Sequence, residues 1–405
     1  ALLRRLGLAA VAGGTALLAT RSQIKSAPNA AMEQGRHGPI KLFCGNAHPG
    51  LAKDIAARLG VGLADATVNK FACGETNVMI NENVRDCDVF VVQPTCNPNP
   101  NDNLMELLIM LDALRRGGAH RVTAIMPIFG YARQDKKDQS RAPISAKLVA
   151  DMVNHAGADR IVTIDLHASQ IQGFVNFPLD NLYGLPLLAN YIHSDIMAKR
   201  KLAIEDVIVV SPDVGGAKRA KVLAERLGCG FAIFSKLRSK PNEVAAMTLV
   251  GDVRGKTCVL IDDMCDTAGT LCLGAKHLKD KVHSTPSLPP PSLPQPFVRQ
   301  GARSVHAAVT HGVFSDPALQ RITDSPIEEM VVLDTIPMQQ NQKKCPKVKV
   351  LSVSALMAES IWQVRRWTWV VVLCEVVLCE VVGVMWDVVL VVLCVDAVVL
   401  CGVIC

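Results

Sequence analysis

The strongest chemical feature of this chain is a pair of adjacent acids, followed by a third acid and a turn of small residues. The run reads Val259-Leu260-Ile261-Asp262-Asp263-Met264-Cys265-Asp266-Thr267-Ala268-Gly269-Thr270. An apolar strand that ends this way and opens a helix turns backbone N–H groups and a helix N-terminus towards an anion. Thr267 and Thr270 add hydroxyl donors, and Asp262 and Asp263 can accept from vicinal sugar hydroxyls. Together these groups suit a phosphorylated sugar. The competing account is a strand end with solvated acids and a capped helix; it would suffice for one Asp and is a poor account of the whole run.

Two further places carry chemistry. Arg133, Lys136 and Lys137 crowd the segment Tyr131–Asp138, where they can neutralise a polyphosphate, and a planar Arg can also stack on a base. In Asp165-Leu166-His167, strand alternation predicts the carboxylate and the imidazole on one face. There they could hold Mg²⁺ bearing nucleotide phosphates, an ion that needs few protein ligands. Taken alone, Arg133 would be a solvated charge and His167 a cap or core residue.

The elements that must position these groups alternate. Strands are expected at Ile40–Cys44, Asp88–Gln93, Arg121–Pro127, Arg160–Leu166, Val207–Val210, Phe231–Phe234, Thr257–Ile261, Ser304–Thr310 and Met330–Leu333. Helices are expected at Gly50–Leu59, Asn101–Arg116, Ile144–Ala156, Leu185–Ile192, Gly216–Leu227 and Gly269–Leu278. Asn101–Arg116 places Leu104, Leu107, Leu108, Leu111 and Leu114 at helical spacing. Such alternation implies an α/β fold of parallel sheets covered by helices. Ligands then sit beyond the carboxyl ends of the strands.

Half of the 405 residues are hydrophobic and a fifth are charged, so wholesale disorder is excluded and two domains fit the length. The 43 basic against 37 acidic residues leave +6. Most of that excess lies in residues 1–32 and 281–300, so the near-neutral body argues against a nucleic-acid binder. The 14 cysteines show no metal-finger spacing and read as reduced thiols of an intracellular protein.

Three segments differ from the rest. Residues 1–32 are Arg-bearing and lack acids, which fits an organelle transit peptide or an unselected leader before Met32. Residues 281–300 hold six of the 22 prolines and read as an inserted loop, with a PxxP ligand as the other reading. The tail 362–405 is a Val/Cys/Trp repeat outside the fold. Glu375, Glu380, Asp387 and Asp396 interrupt it, so no clean membrane span exists.

The chain resembles ribose-phosphate diphosphokinase (phosphoribosyl pyrophosphate synthetase) of the phosphate-regulated class. The matching runs are NDNLMELLIMLDALRR (Asn101–Arg116), YARQDKKDQSRAPISAKLVADM (Tyr131–Met152), GADRIVTIDLHASQIQGF (Gly157–Phe174), VSPDVGGAKRAKVLAERL (Val210–Leu227) and VLIDDMCDTAGT. The resemblance spans roughly Lys41 to Ile361 and is interrupted by the proline insert. It implies two tandem type I phosphoribosyltransferase domains, each a mainly parallel sheet flanked by helices: 33–184 for ATP and 185–361 for ribose 5-phosphate. It further implies Mg²⁺-dependent transfer of the diphosphoryl group of ATP to O1 of ribose 5-phosphate, giving AMP and 5-phosphoribosyl diphosphate for nucleotide biosynthesis.

On this resemblance Phe71, Cys73, Gly74, Glu75, Arg133 and Gln134 bind ATP. Asp262, Asp263, Asp266, Thr267, Ala268, Gly269 and Thr270 bind ribose 5-phosphate. His167 and Asp213 hold the metal, with Asp165 and Asp180 added, and Lys236 and Arg238 are catalytic. Cys73 and Gly74 stand where relatives carry Asn and Gln, Asn176 replaces an acid, and Leu237 replaces a charged residue. The resemblance implies a homo-oligomer, a hexamer, regulated by phosphate and ADP through the Ser140–Ser145 region and a C-terminus that this chain does not match. It implies neither nucleic acid nor membrane, and places the protein in the cytoplasm, or in a plastid or mitochondrion if residues 1–32 target it. Two alternatives stand beside it: a non-catalytic, associated regulatory subunit, and a base-using phosphoribosyltransferase, which would have no use for the Arg133 loop.

Overall fold

A computed structural model describes residues 38–237, 246–280 and 301–364. Its elements follow in chain order as β1 (Ile40–Cys44), α1 (Pro49–Leu59), β2 (Ala66–Lys70), β3 (Thr76–Ile80), β4 (Asp88–Val92), α2 (Pro100–Arg116), β5 (Arg121–Met126), α3 (Ser145–His155), β6 (Arg160–Ile164) and β7 (Leu179–Leu182). The chain continues through α4 (Leu185–Tyr191), β8 (Val207–Ser211), α5 (Ala217–Leu227), β9 (Gly230–Leu237), β10 (Ala246–Val250), β11 (Thr257–Cys265), α6 (Gly269–Asp280), β12 (Ser304–Gly312), α7 (Ala318–Asp324), β13 (Ile327–Leu333), α8 (Gln339–Lys344) and β14 (Val348–Leu351). Residues 354–364 form a last helix.

These strands build two sheets and a hairpin. The first sheet has the order β1-β4-β5-β6-β7 and every pair in it is parallel. The second has the order β10-β9-β8-β11-β12-β13-β14, parallel except where β10 runs against β9. β2 and β3 form a separate antiparallel hairpin. The α/β fold with helix-flanked, mainly parallel sheets is the one expected.

Central strands are buried from end to end because helices cover both faces. All five residues of β4 (DVFVV) are buried, as are all nine of β12. α1 starts at His48, whose Nδ1 accepts from Leu51 N, and ends at Gly60, whose φ of +69° would strain a residue with a Cβ. The same histidine donates from Nε2 to the Asp334 carbonyl at 2.9 Å, tying the first sheet's helix to the second sheet. One buried apolar cluster contains residues from both sheets, among them Leu42, Val162, Ile164, Val209, Ile261 and Leu333. The last helix joins it: Trp362 packs against the cluster and Val364 is buried. Arg121, paired with buried Asp88 by two hydrogen bonds, also reaches the Val364 carbonyl.

Some elements go beyond the expected set. The hairpin, β7, β10, β14, α7 and α8 are additional, and β11 runs four residues further than expected. β12 continues alongside it, so that Asp262 faces Val309, Met264 faces His311 and Cys265 faces Gly312 in register. No helix among the described residues is long and apolar enough to cross a membrane. The nine cysteines among them are all free. The leader 1–32, the insert 281–300 and residues 365–405 lie outside the described residues.

Candidate functional site

β5, β6, β8 and β11 point their carboxyl ends to one junction, and the loop leaving each carries a candidate residue. Arg133 follows β5, His167 follows β6, Asp213 follows β8, and β11 carries the acids itself. His167 Nδ1 lies 2.6 Å from Asp263 Oδ2. Arg133 Nη1 donates to Asp266 Oδ2 at 2.8 Å, and its Nε donates to Met264 Sδ at 3.1 Å. Arg219, in the first turn of α5, brings Nη1 within 3.5 Å of Asp262 Oδ1 and 3.4 Å of Asp263 Oδ1. The basic loop of one sheet therefore contacts the acidic strand end of the other.

The two adjacent acids are held in different states. Burial, with the neighbouring Asp263 added, pushes Asp262 up to about 7. Burial also opposes ionisation of Asp263, but the His167 hydrogen bond and the Arg219 charge outweigh it and hold that carboxyl below its usual range. His167 is raised by its bond to Asp263 despite partial burial. For Asp266, burial is outweighed by Ser315 and Arg133, and its pKa is lowered. One carboxylate of the pair is thus fixed as an acceptor while the other changes state near neutral pH, which suits paired hydroxyls that each donate and accept.

The turn expected to take a sugar phosphate follows directly. Ala268 adopts φ +58° and is buried, a left-handed conformation that costs a non-glycine residue roughly 1–2 kcal/mol. It folds the chain back so that Cys272 N bonds the Ala268 carbonyl and α6 begins at Gly269. Arg321 braces the turn through the Thr267 carbonyl at 3.0 Å.

The expected metal residues separate. His167 fits a ligand role: a carboxylate holds one ring nitrogen, as in carboxylate–histidine metal sites, and the ring is partly exposed. Asp213 closes the turn before α5, its Oδ1 accepting from Gly216 N at 3.2 Å. Asp165 does not share the face of His167. β6 ends at Ile164, Asp165 takes φ +41°, and alternation fails there. Its buried carboxylate accepts from Gly184 N at 3.1 Å and Thr310 Oγ1 at 2.6 Å. Asp180 pairs with Arg160 at 2.6 Å and stands beside Val162 in register, two residues before β6 ends. No group of three or more His, Cys, Asp or Glu among the described residues could hold an ion unaided. A magnesium ion that takes most of its oxygens from phosphates and water remains compatible with His167 and Asp213.

The residues expected to bind the nucleotide also divide. Phe71–Glu75 forms the β2–β3 turn, closed by Phe71 N on the Glu75 carbonyl, and the Phe71 side chain is 53% exposed. Cys73 is exposed, and Gly74 has φ +94°. This turn connects to the Arg133 loop only indirectly: Lys70 pairs with Asp102, and Tyr131 hydrogen-bonds Asn101, one residue earlier in the first turn of α2. Gln134 accepts from Ser145 Oγ and so helps seat α3. Lys236 stands in β9 opposite Met247; its side chain and all of Arg238 lie outside the described residues. A pocket of about 420 Å³ lined by Asp54, Ala57, Arg58, Ser352 and Ser354 contains none of the candidate residues.

Sequence reasoning missed Arg219, Met264 and the Thr310–His311 pair. For Arg219 a signal existed: α5 opens with Lys218 and Arg219 and no acid, against the usual preference at a helix N-terminus.

Comparison with known proteins places the chain. Residues 40–157 match the N-terminal domain of ribose phosphate pyrophosphokinase, residues 187–282 a phosphoribosyl transferase domain, and residues 296–369 a phosphoribosyl synthetase-associated domain. The chain is 49% identical over 322 residues to ribose-phosphate pyrophosphokinase A of Dictyostelium discoideum, covering 80% of this chain and 93% of the relative. It is 47% identical over 327 residues to ribose-phosphate pyrophosphokinase 2 of Schizosaccharomyces pombe, covering 81% and 94%. Its structure is similar to the crystal structure of phosphoribosylpyrophosphate synthetase from Mycobacterium smegmatis, with a TM-score of 0.71, 42% identity, and coverage of 81% of this chain and 99% of that one.

Proposed function

This chain belongs to the ribose-phosphate pyrophosphokinase family of enzymes, and from that premise we propose that it moves the diphosphoryl group of ATP to O1 of ribose 5-phosphate, yielding AMP and 5-phospho-α-D-ribose 1-diphosphate. The observation that carries the reading is the pairing of the two half-sites. Arg133 of the basic loop bonds Asp266 of the sugar-phosphate turn, and His167 bonds Asp263. Groups suited to a nucleotide polyphosphate and groups suited to a sugar phosphate therefore meet at one place.

In this reading Arg133 and Gln134 bind the nucleotide, with Phe71 and Glu75 of the hairpin turn. Backbone contacts at Cys73 and Gly74 persist despite their changed side chains. The turn Asp266–Thr270 and the α6 N-terminus hold the 5-phosphate with backbone N–H groups. Asp262 and Asp263 orient the ribose hydroxyls. Lys236 and Arg238 stabilise charge on the transferring phosphoryl oxygens, where fixed cations provide most of the catalysis. Mg²⁺, held by His167 and Asp213, supplies neutralisation of phosphate charge when bound.

The test uses the full chain with ATP, with and without ribose 5-phosphate and Mg²⁺. AMP and phosphoribosyl diphosphate are expected in equal amounts, and only when all three are present. A well-folded sample that forms no AMP under those conditions overturns the proposal.

A further inference from the structure

Among the described residues, Arg219 is the one cation whose guanidinium contacts both members of the acid pair. Its Nη1 lies 3.5 Å from Asp262 and 3.4 Å from Asp263, at carboxylates that are mostly buried. Adjacent carboxylates in such surroundings repel each other and lose hydration, and a countercharge shared between them offsets part of that cost and holds them side by side. His167 meets only Asp263, and Arg133 meets only Asp266 among these acids.

The fold goes to some length to bring this side chain there. Ser211 at the end of β8 donates from Oγ to the Asp213 carbonyl, and Asp213 Oδ1 accepts from Gly216 N, which starts α5 close against the strands. A Cβ on Gly216 would meet Ser211 Oγ at 2.7 Å and lie 3.9 Å from the Ile261 carbonyl. A side chain there would have to displace the Ser211 hydroxyl, so glycine keeps that hydroxyl on the Asp213 carbonyl while the first turn of α5 lies beside the end of β11. α5 has no acid in that turn, so Arg219 has no helix partner competing for it there.

We propose that Arg219 is a positioning residue of the sugar-phosphate site: it fixes the two acids in the orientation that accepts the ribose hydroxyls, without itself touching the transferred group. The proposal rests on the reaction assigned above, so wild-type turnover with ribose 5-phosphate is the control that separates the two. If the wild type forms no AMP, the assignment fails; if it does, the variants decide the role of Arg219.

The experiment measures KM for each substrate and kcat in R219Q and R219K of the full chain. R219Q is expected to raise KM for ribose 5-phosphate at least tenfold, with KM for ATP within twofold and kcat reduced less than KM is raised. R219K keeps the charge but loses the planar fork, and is expected to fall between, with at least a threefold rise in the same KM. Equal rises in both KM values would place Arg219 on the nucleotide and overturn the proposal, as would unchanged KM values or a loss confined to kcat. Should R219Q fail to fold, R219K decides alone: a selective threefold rise supports the proposal and an unchanged KM overturns it.

Discussion

Thr310→Val tests how the two sheets are joined at the site. Thr310 lies in β12 of the second sheet, 1% exposed, and its Oγ1 donates to Asp165 Oδ2 at 2.6 Å. Asp165 follows β6 of the first sheet, is 8% exposed, and accepts on that same oxygen from Gly184 N. Valine has nearly the shape of threonine, so the substitution leaves no cavity and removes only the donor. A buried carboxylate that loses one of its two donors costs about 1.5–3 kcal/mol. With a urea slope of about 3 kcal/mol/M, the midpoint should fall by roughly 0.5–1 M. Thr310→Ser keeps the hydroxyl and should fall by less. A double-mutant cycle with Asp165→Asn should return a coupling of at least about 1 kcal/mol, because the two groups touch. The measurement is equilibrium urea unfolding followed by circular dichroism. If Thr310→Val moves the midpoint by less than about 0.2 M, or if the cycle is additive, the bond does not hold the sheets together and the reasoning fails.

Two other outcomes follow from the site. Asp262 has its folded pKa raised from 3.8 to about 7. Its stabilising contribution is therefore complete below about pH 4 and is lost as pH rises through about 7. Asp262→Asn should accordingly gain stability relative to wild type between pH 5 and pH 8, and a difference that is flat with pH in urea midpoints would show that Asp262 ionises normally. Lys236→Ala should lower kcat roughly 10²- to 10³-fold, the range for losing one fixed electrostatic donor, while ATP binding by calorimetry stays near wild type; disappearance of nucleotide binding would assign Lys236 a different role.

Periodicity and local chemistry carry information over short stretches, and the elements they specify were legible in advance. β1 falls on Ile40–Cys44 as expected, and the long apolar stripe of α2 differs from its expected span by one residue. The buried strand β4 declared itself as an apolar run after Asp88, because both of its faces are covered, whereas β12 is buried throughout although it carries Ser304, His306, Thr310 and His311. The acid-rich run Asp262–Thr270 was also legible, since small residues between an apolar strand and a helix need no distant partner to be recognised. The hairpin β2–β3 escaped notice because its strands are half exposed and show no clean alternation. The extension of β11 through Asp262 and Asp263 depends on β12 running beside it, and no local pattern in β11 records that.

Residue types and their order therefore determined the parallel sheets, the small-residue turn behind an acid pair and the basic loop after β5. Only the tertiary structure decided which charges face one another. Alternation sets Asp165 beside His167 and the resemblance adds Asp180 to the expected metal residues, yet the fold commits one to Thr310 and Gly184 and the other to Arg160. Arg219 looks like a surface helix charge and is directed to the acid pair. The physical reason is range: propensity and alternation act over a few residues, whereas an ion pair is settled by which strand ends the packing of two sheets brings within about 4 Å.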